Sequence, residues 1–232
     1  MQVLRRGSQG LQVQLLQRLL NKAQTRTGST GTLLGTDGSF GALTESALQA
    51  FQTRQPGLIP DKVAGNQTWR ALGLCTEKEH AWVRLFGQPT ANTCWSAAAT
   101  MILGNQSAGV GNAYPGKKGG LPPVGDNYIE FARSYGWDAL NYSPSVAELV
   151  DIVSRTPVWV GLAGLNLAHA VVLSGVYSDG DERGDGTLFR IHDPGPIGRG
   201  RIYGSFANPI TLYDASGITR VQTQLHQVIV PR

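Results

Sequence analysis

Cysteine is scarce in this chain: Cys75 and Cys94 are the only two among 232 residues. Two thiols are too few for a disulfide scaffold, and pairing them would consume whichever one carried chemistry, so both read as reduced. Charge is sparse as well, at 16% of residues against 41% hydrophobic, which excludes global disorder and suits a folded chain of one large or two ordinary domains. The net charge of +4 comes from scattered Lys and Arg, without the basic block that a nucleic-acid partner requires. No apolar run approaches the roughly 18–20 residues of a membrane helix, so membrane insertion is not expected. Arg5 and Arg6 are not followed by an apolar h-region and a small-residue cleavage site, so the N-terminus does not read as a signal peptide. Metal ligands are also wanting. No Cys/His cluster has zinc spacing, and Asp179-Gly180-Asp181, which opens like a calcium loop, meets Arg183 and Arg190 where oxygen ligands are needed. Neither a metal nor another cofactor is expected.

What the chain has in quantity is glycine, 30 residues, with 12 prolines, so much of it should be turns and loops. Between those turns, residues 1–74 hold three helical patterns. Leu11, Leu15, Leu16, Leu19 and Leu20 recur at helical spacing, as do Leu43, Ala47, Leu48 and Phe51, and a short third helix turns Trp69 and Leu72 inward. DGSFGALTESAL at 37–48 and DKVAGNQTWRAL at 61–72 echo one another. In each, Gly41 or Gly65 is expected to supply a turn other residues resist, and Thr44 or Thr68 to cap the helix that follows. The repeated turns could be structural only. The ordered set of Leu4, Gly7, Gly10, Leu16, Gln17, Asp37-Gly38, Phe40-Gly41, Thr44, Phe51-Gln52, Asp61, Gly65 and Thr68-Trp69 resembles the type 1 peptidoglycan-binding domain. That is a three-helix module common on bacterial cell-wall hydrolases, and some copies serve as spacers or docking units. Lys62 and Ala64 depart from its pattern in the last turn.

After a charged linker at 75–86, the stretch QPTANTCWSAAATMI turns from a polar loop into a run of small helix formers. Cys94 would stand in the first turn, where unpaired N–H groups and the helix dipole favour a thiolate. A cysteine nucleophile and a buried structural cysteine both fit that local pattern. HAVVLSGVYS at 169–178 and TLFRIHDPGP at 187–196 read as the two strands of a hairpin. His169 would then begin one strand and Asp193 end the other, side by side, with one ring nitrogen held by the carboxylate and the other free for the thiol. His192 alternates to the opposite side and reads as structural. His80 and His226 lack a partner pattern, Cys75 reads as a linker residue, and Asn208 is a rival to Asp193. The Gly- and Pro-rich stretch 104–127, with Lys117 and Lys118, is either a plain surface loop or one that touches substrate.

Gln88, six residues before Cys94-Trp95-Ser96, the His169 strand and the His192-Asp193-Pro194 strand end together resemble the papain-like cysteine peptidases. The nearer branch is the bacterial one related to bacteriocin-leader peptidases and a plant-pathogen effector protease. The resemblance implies a Cys94-His169-Asp193 set, with Gln88 and the cysteine N–H forming the oxyanion hole. The expected fold is α+β: a three-helix peptidoglycan-binding-like domain at 1–74, then a papain-like domain at 87–232 with a nucleophile helix and an antiparallel sheet. The expected function is amide hydrolysis in peptidoglycan stem peptides or cross-links by an antibacterial effector. A protease acting on a protein target and a non-catalytic wall-binding adaptor are the alternatives. Without a signal peptide, the expected route is cytoplasmic synthesis and export by a contact-dependent system such as type VI secretion into a target periplasm, or release by lysis. An immunity protein and a secretion component are the implied partners.

Overall fold

The computed structural model describes residues 1–28, 31–104, 120–121, 125–164, 167–207, 210–213 and 220–232. Lys117, Lys118 and Asn208-Pro209 lie outside them. The chain divides into two compact units, Met1–Glu77 with Tyr177–Leu188, and Lys78–Val176 with Phe189–Arg232.

In the first unit, α1 (Leu11–Arg26), α2 (Ala42–Arg54) and α3 (Asn66–Ala71) enclose Leu15, Leu16, Leu19, Leu48, Phe51 and Trp69. Each such side chain contributes roughly 1.5–3 kcal/mol by leaving water. The sequence echo is a real structural repeat, built differently from the expectation. Gly41 and Gly65 are themselves the N-caps, in ordinary extended backbone, while Thr44 and Thr68 lie inside the helices. The left-handed position falls three residues earlier, at Gly38 (φ 76) and Lys62 (φ 63). Each turn is held by a buried glutamine from the preceding helix. Gln17 Nε2 donates to Asp37 Oδ1 (2.8 Å), Ser39 O (3.1 Å) and Thr44 Oγ1 (3.1 Å), and its Oε1 accepts from Gly38 N–H (2.9 Å). Gln52 repeats the pattern on Asp61 Oδ1 (2.9 Å), Val63 O (3.0 Å), Thr68 Oγ1 (3.2 Å) and Lys62 N–H (3.0 Å). The threonines do not cap because they sit a turn inside their helices, where their hydroxyls accept from the glutamines instead. Leu43, expected in the α2 stripe, is 78% exposed, because the buried face runs through Thr44, Leu48, Phe51 and Gln52.

Asp179 and Asp181, whose Asp-Gly-Asp spacing opens like a calcium loop but lacks the further oxygen ligands, both accept from the Lys22 ammonium of α1, Asp181 at 2.6 Å. Among the described residues no cluster of His, Cys, Asp and Glu suits a metal ion. No helix of the described residues is long and apolar enough to cross a membrane.

The linker segment is partly structured: Thr76–Glu79 forms β1, which pairs with a sheet strand, and His80 is buried with Nε2 2.8 Å from Val153 O. The rest of the second unit comprises α4 (Cys94–Leu103), α5 (Gly125–Ser134), β2 (Asp138–Ala139), α6 (Val146–Arg155), β3 (Val158–Gly164), β4 (Leu167–Ser178), β5 (Thr187–Asp193), β6 (Arg201–Phe206), β7 (Ile210–Tyr213) and β8 (Arg220–Val230). The sheet runs β2-β8-β3-β4-β5-β6, with β7 beside β8. The β2–β8, β3–β4, β3–β8 and β7–β8 pairs are antiparallel. Strand alternation sorts its faces. Val158, Val160 and Leu162 face α6, while Trp159, Ala170, Val172 and Ile229 face α4 and α5. Helix α6 starts in a full capping box, Ser145 with Glu148. Helix α4 is buried through Cys94–Ile102, which its three consecutive alanines permit, since small side chains let the sheet approach closely. The combination is α+β, with helices first and an antiparallel sheet after.

Candidate active site

Cys94 is the first residue of α4, after the N-cap Thr93. The Thr93 hydroxyl does not cap the helix; it joins Thr90, accepting from Thr90 N–H (3.1 Å) and donating to Thr90 O (3.0 Å). Helix α4 therefore begins at the thiol without a side-chain cap. The helix start is fixed to the sheet by two tryptophans. Trp159 Nε1 on β3 donates to Trp95 O (3.0 Å), and Trp95 Nε1 donates to Asn92 O (3.0 Å).

His169 lies near the start of β4, opposite Leu162 of β3. Asp193 ends the neighbouring β5. His169 Nε2 and Asp193 Oδ1 are 2.6 Å apart, with side chains 13% and 2% exposed. That contact leaves Nδ1 for the thiol, and Cys94 and His169 line the same cleft. Asp193 has further support. Its Oδ1 accepts from Gly195 N–H (2.8 Å), and its Oδ2 accepts from the Tyr203 hydroxyl (3.4 Å) on β6. A Cβ at Gly195 would stand 3.3 Å from Asp193 Oδ1 and 3.7 Å from the His169 ring, so this position closes over the pair without room to spare.

Burial pushes the Cys94 thiol up, but the hydrogen bond and charge of His169, with backbone hydrogen bonds at Ala170 and Trp95, outweigh it and hold the thiol below its ordinary value. Burial alone would lower His169. The Asp193 and Cys94 hydrogen bonds and charges reverse that and raise the imidazole well above its ordinary value. Both shifts favour one protonation state, a thiolate beside an imidazolium. Such a pair holds a nucleophile and a proton for a leaving group in one cleft.

Gln88 is buried, and its backbone ties it to the turn after Asp193: its N–H donates to Pro194 O (2.8 Å), and its carbonyl accepts from Gly198 N–H (2.8 Å). Its side-chain amide donates to Thr90 O (2.8 Å) and Ala91 O (3.2 Å), leaving Oε1 without a partner. The structure thus brings Cys94, His169 and Asp193 together and ties Gln88 to the turn after Asp193, with its amide nitrogen donating to Thr90 O and Ala91 O. A cleft of about 160 Å³ opens at the thiol, lined by Cys94, His169, Trp95, Tyr128, Trp159 and small residues including Gly120, Gly161 and Ala168.

Comparison with known families returns two matches. Residues 9–72 match a putative peptidoglycan binding domain, and residues 79–208 match the papain-like cysteine protease AvrRpt2 family. The second covers more than half of the chain. The chain belongs to the AvrRpt2 family of papain-like cysteine proteases. Comparison with curated proteins returns no match. This papain-like protease is a cysteine peptidase hydrolase carrying a peptidoglycan-binding domain before its protease domain.

The remaining histidines stand away from the thiol. His192 is fully buried with Nδ1 2.7 Å from Ser174 Oγ, and burial, then the charge of Arg190, lower it to about 4, so it is a neutral structural group. His226 is exposed and stacks edgewise on Tyr128. Cys75 is exposed near Ser178 O. Sequence reasoning missed Tyr203, Gly195, Trp159 and Tyr128. Tyr203 and Gly195 had a readable signal, since the Pro-Gly turn after Asp193 leads straight into a strand that must neighbour it.

Proposed function

We propose that this protease cleaves amide bonds in peptidoglycan stem peptides or cross-links. The supporting observation is the thiolate–imidazolium pair of Cys94 and His169, held by buried Asp193, in a chain that also carries a peptidoglycan-binding domain. The thiolate attacks the scissile carbonyl carbon, forming a C–S bond as the π pair moves to oxygen. Backbone N–H groups at the start of α4 stabilise that oxyanion. Gln88, whose amide nitrogen also donates to Thr90 O and Ala91 O, joins them. His169 Nδ1–H then protonates the departing amine as the C–N bond breaks. Water, deprotonated by the same nitrogen, hydrolyses the thioester and restores the thiol. The small cleft, with Gly120, Gly161, Ala168 and Ala170 among the residues that line it, suits the small residues of stem peptides. Delivery to a rival cell's periplasm by contact-dependent secretion, with a cognate immunity protein, is the biology we propose for it.

The test incubates purified protein with sacculi and identifies the soluble muropeptides. Wild type should release peptide-cleaved fragments and Cys94→Ala none. A wild type that degrades an unfolded protein but releases nothing from sacculi favours the alternative, a protease for a protein target. In that case the first domain serves docking.

A further inference from the structure

In the cleft region the Gln88 amide nitrogen donates to the backbone carbonyls of Thr90 and Ala91, so any further side-chain donor facing Cys94 bears on how a substrate oxygen is held. Tyr128, on α5, lines the same cleft as Cys94 and His169. Its ring is 5% exposed and clamped edgewise between Trp159 (5.8 Å between centroids) and His226 (5.7 Å). Trp159 is in turn fixed by its bond to Trp95 O, so the phenol is held by the framework that holds the nucleophile helix. The Tyr128 hydroxyl makes no hydrogen bond with any described residue, and it is not among the enclosed polar atoms left without a partner. A rigid aromatic with an unspent O–H at a cleft wall is a donor awaiting a ligand acceptor.

We propose that Tyr128 is a substrate-contacting residue whose hydroxyl donates to the carbonyl oxygen of the amide bound at Cys94, and to the oxyanion that forms from it. Burial, then the negative charge of Cys94, raises the phenol to about 12, so it stays protonated throughout the range in which the thiolate–imidazolium pair exists.

The proposal rests on the thiol-hydrolase reading, and the test separates the two. Acetyl-glycyl-glycinal is the probe: the thiolate adds to its aldehyde carbon, the C=O π pair moves to oxygen, and a proton from His169 gives a hemithioacetal whose oxygen occupies the oxyanion position. Its affinity is read from protection of Cys94 against alkylation by iodoacetamide, which places no oxyanion. Tyr128→Phe, which keeps the ring and its packing, should bind the aldehyde roughly 10- to 100-fold more weakly while Cys94 is alkylated at the wild-type rate. Retained alkylation also shows that the site is folded. Equal aldehyde affinity in Tyr128→Phe and wild type overturns the proposal. A wild-type Cys94 that iodoacetamide does not modify faster than exposed Cys75 overturns the thiol-hydrolase reading beneath it.

Discussion

Replacing Asp193 by Asn should isolate the charge that holds the imidazolium. The amide keeps a carbonyl oxygen where Oδ1 now accepts from His169 Nε2 at 2.6 Å and Gly195 N–H at 2.8 Å. At the Oδ2 position its NH2 meets the Tyr203 hydroxyl, 3.4 Å away, which can turn and accept. The packing is therefore kept and only the charge is lost. Both side chains are shielded, at 13% and 2% exposure, so solvent does not screen the pair away. A hydrogen bond to an ionised partner is worth roughly 1.5–3 kcal/mol against about 1 for a neutral one. The difference, at 1.36 kcal/mol per pH unit, lowers the His169 midpoint by roughly one unit.

The assay is NMR titration of imidazole nitrogens, done in a Cys94→Ala background so that the thiol does not titrate alongside. The His169 signal is assigned by its loss on substitution. In the parent it should titrate above the ordinary 6.5, because Asp193 raises it; in Asp193→Asn it should move down. With the thiol restored, the alkaline limb of hydrolysis should shift the same way, since the leaving amine takes its proton from His169. An Asn variant that titrates with the parent would falsify the claim that the carboxylate charge sustains the imidazolium.

His192 should make the protease domain acid-sensitive. Its folded value of about 4 lies below the unfolded 6.5, so the unfolded chain takes up the proton first. Its contribution is fully present above pH 6.5 and is lost as pH falls toward 4, by roughly 3 kcal/mol at most, and urea melts of His192→Asn against wild type should show that part of the pH slope vanish. Lys62→Gly should stabilise the first unit by about 0.5–1 kcal/mol, because the left-handed backbone at φ 63 costs a side chain roughly 1–2 kcal/mol and glycine returns part of that as chain entropy. A thermal midpoint that falls instead would show that the Lys62 side chain contributes more than its backbone costs. Lys22→Ala leaves the Asp179 side chain, 2% exposed, without its cation, and should cost roughly 2–3 kcal/mol in denaturant melts of the full chain. A loss under about 0.5 kcal/mol would mean that water already serves those carboxylates.

These residues also show which parts of the molecule a reader of the sequence could reach. Cys94 and the His169 and Asp193 strands were legible because their geometry is local or nearly so. A helix start aims its own N–H groups, and a hairpin returns one strand end beside the other. The order of helices and strands followed from apolar spacing for the same reason. What failed was the assignment of polar partners. Thr44 and Thr68 have the right chemistry for caps, yet Gln17 and Gln52 arrive from preceding helices and claim them. Asp179 and Asp181, too poor in further oxygen ligands for a cation loop, are held by Lys22 from 157 and 159 residues away, a partner that no local pattern reveals. Gln88 stands at the right interval from the thiol, and its amide nitrogen also donates to the loop carbonyls of Thr90 and Ala91, contacts that the interval does not reveal. A sequence gives the inventory of donors and acceptors, whereas tertiary packing decides which of them are already engaged. Tyr128 is the converse case. Nothing around YIEFARSYGW marks it, and it becomes a candidate only once Trp159 and His226 fix its ring against the cleft and no described residue accepts its proton. Residues with unspent hydrogen bonds beside a reactive thiol are therefore where structure adds most to this reading, and the aldehyde comparison between Tyr128→Phe and wild type measures that addition directly.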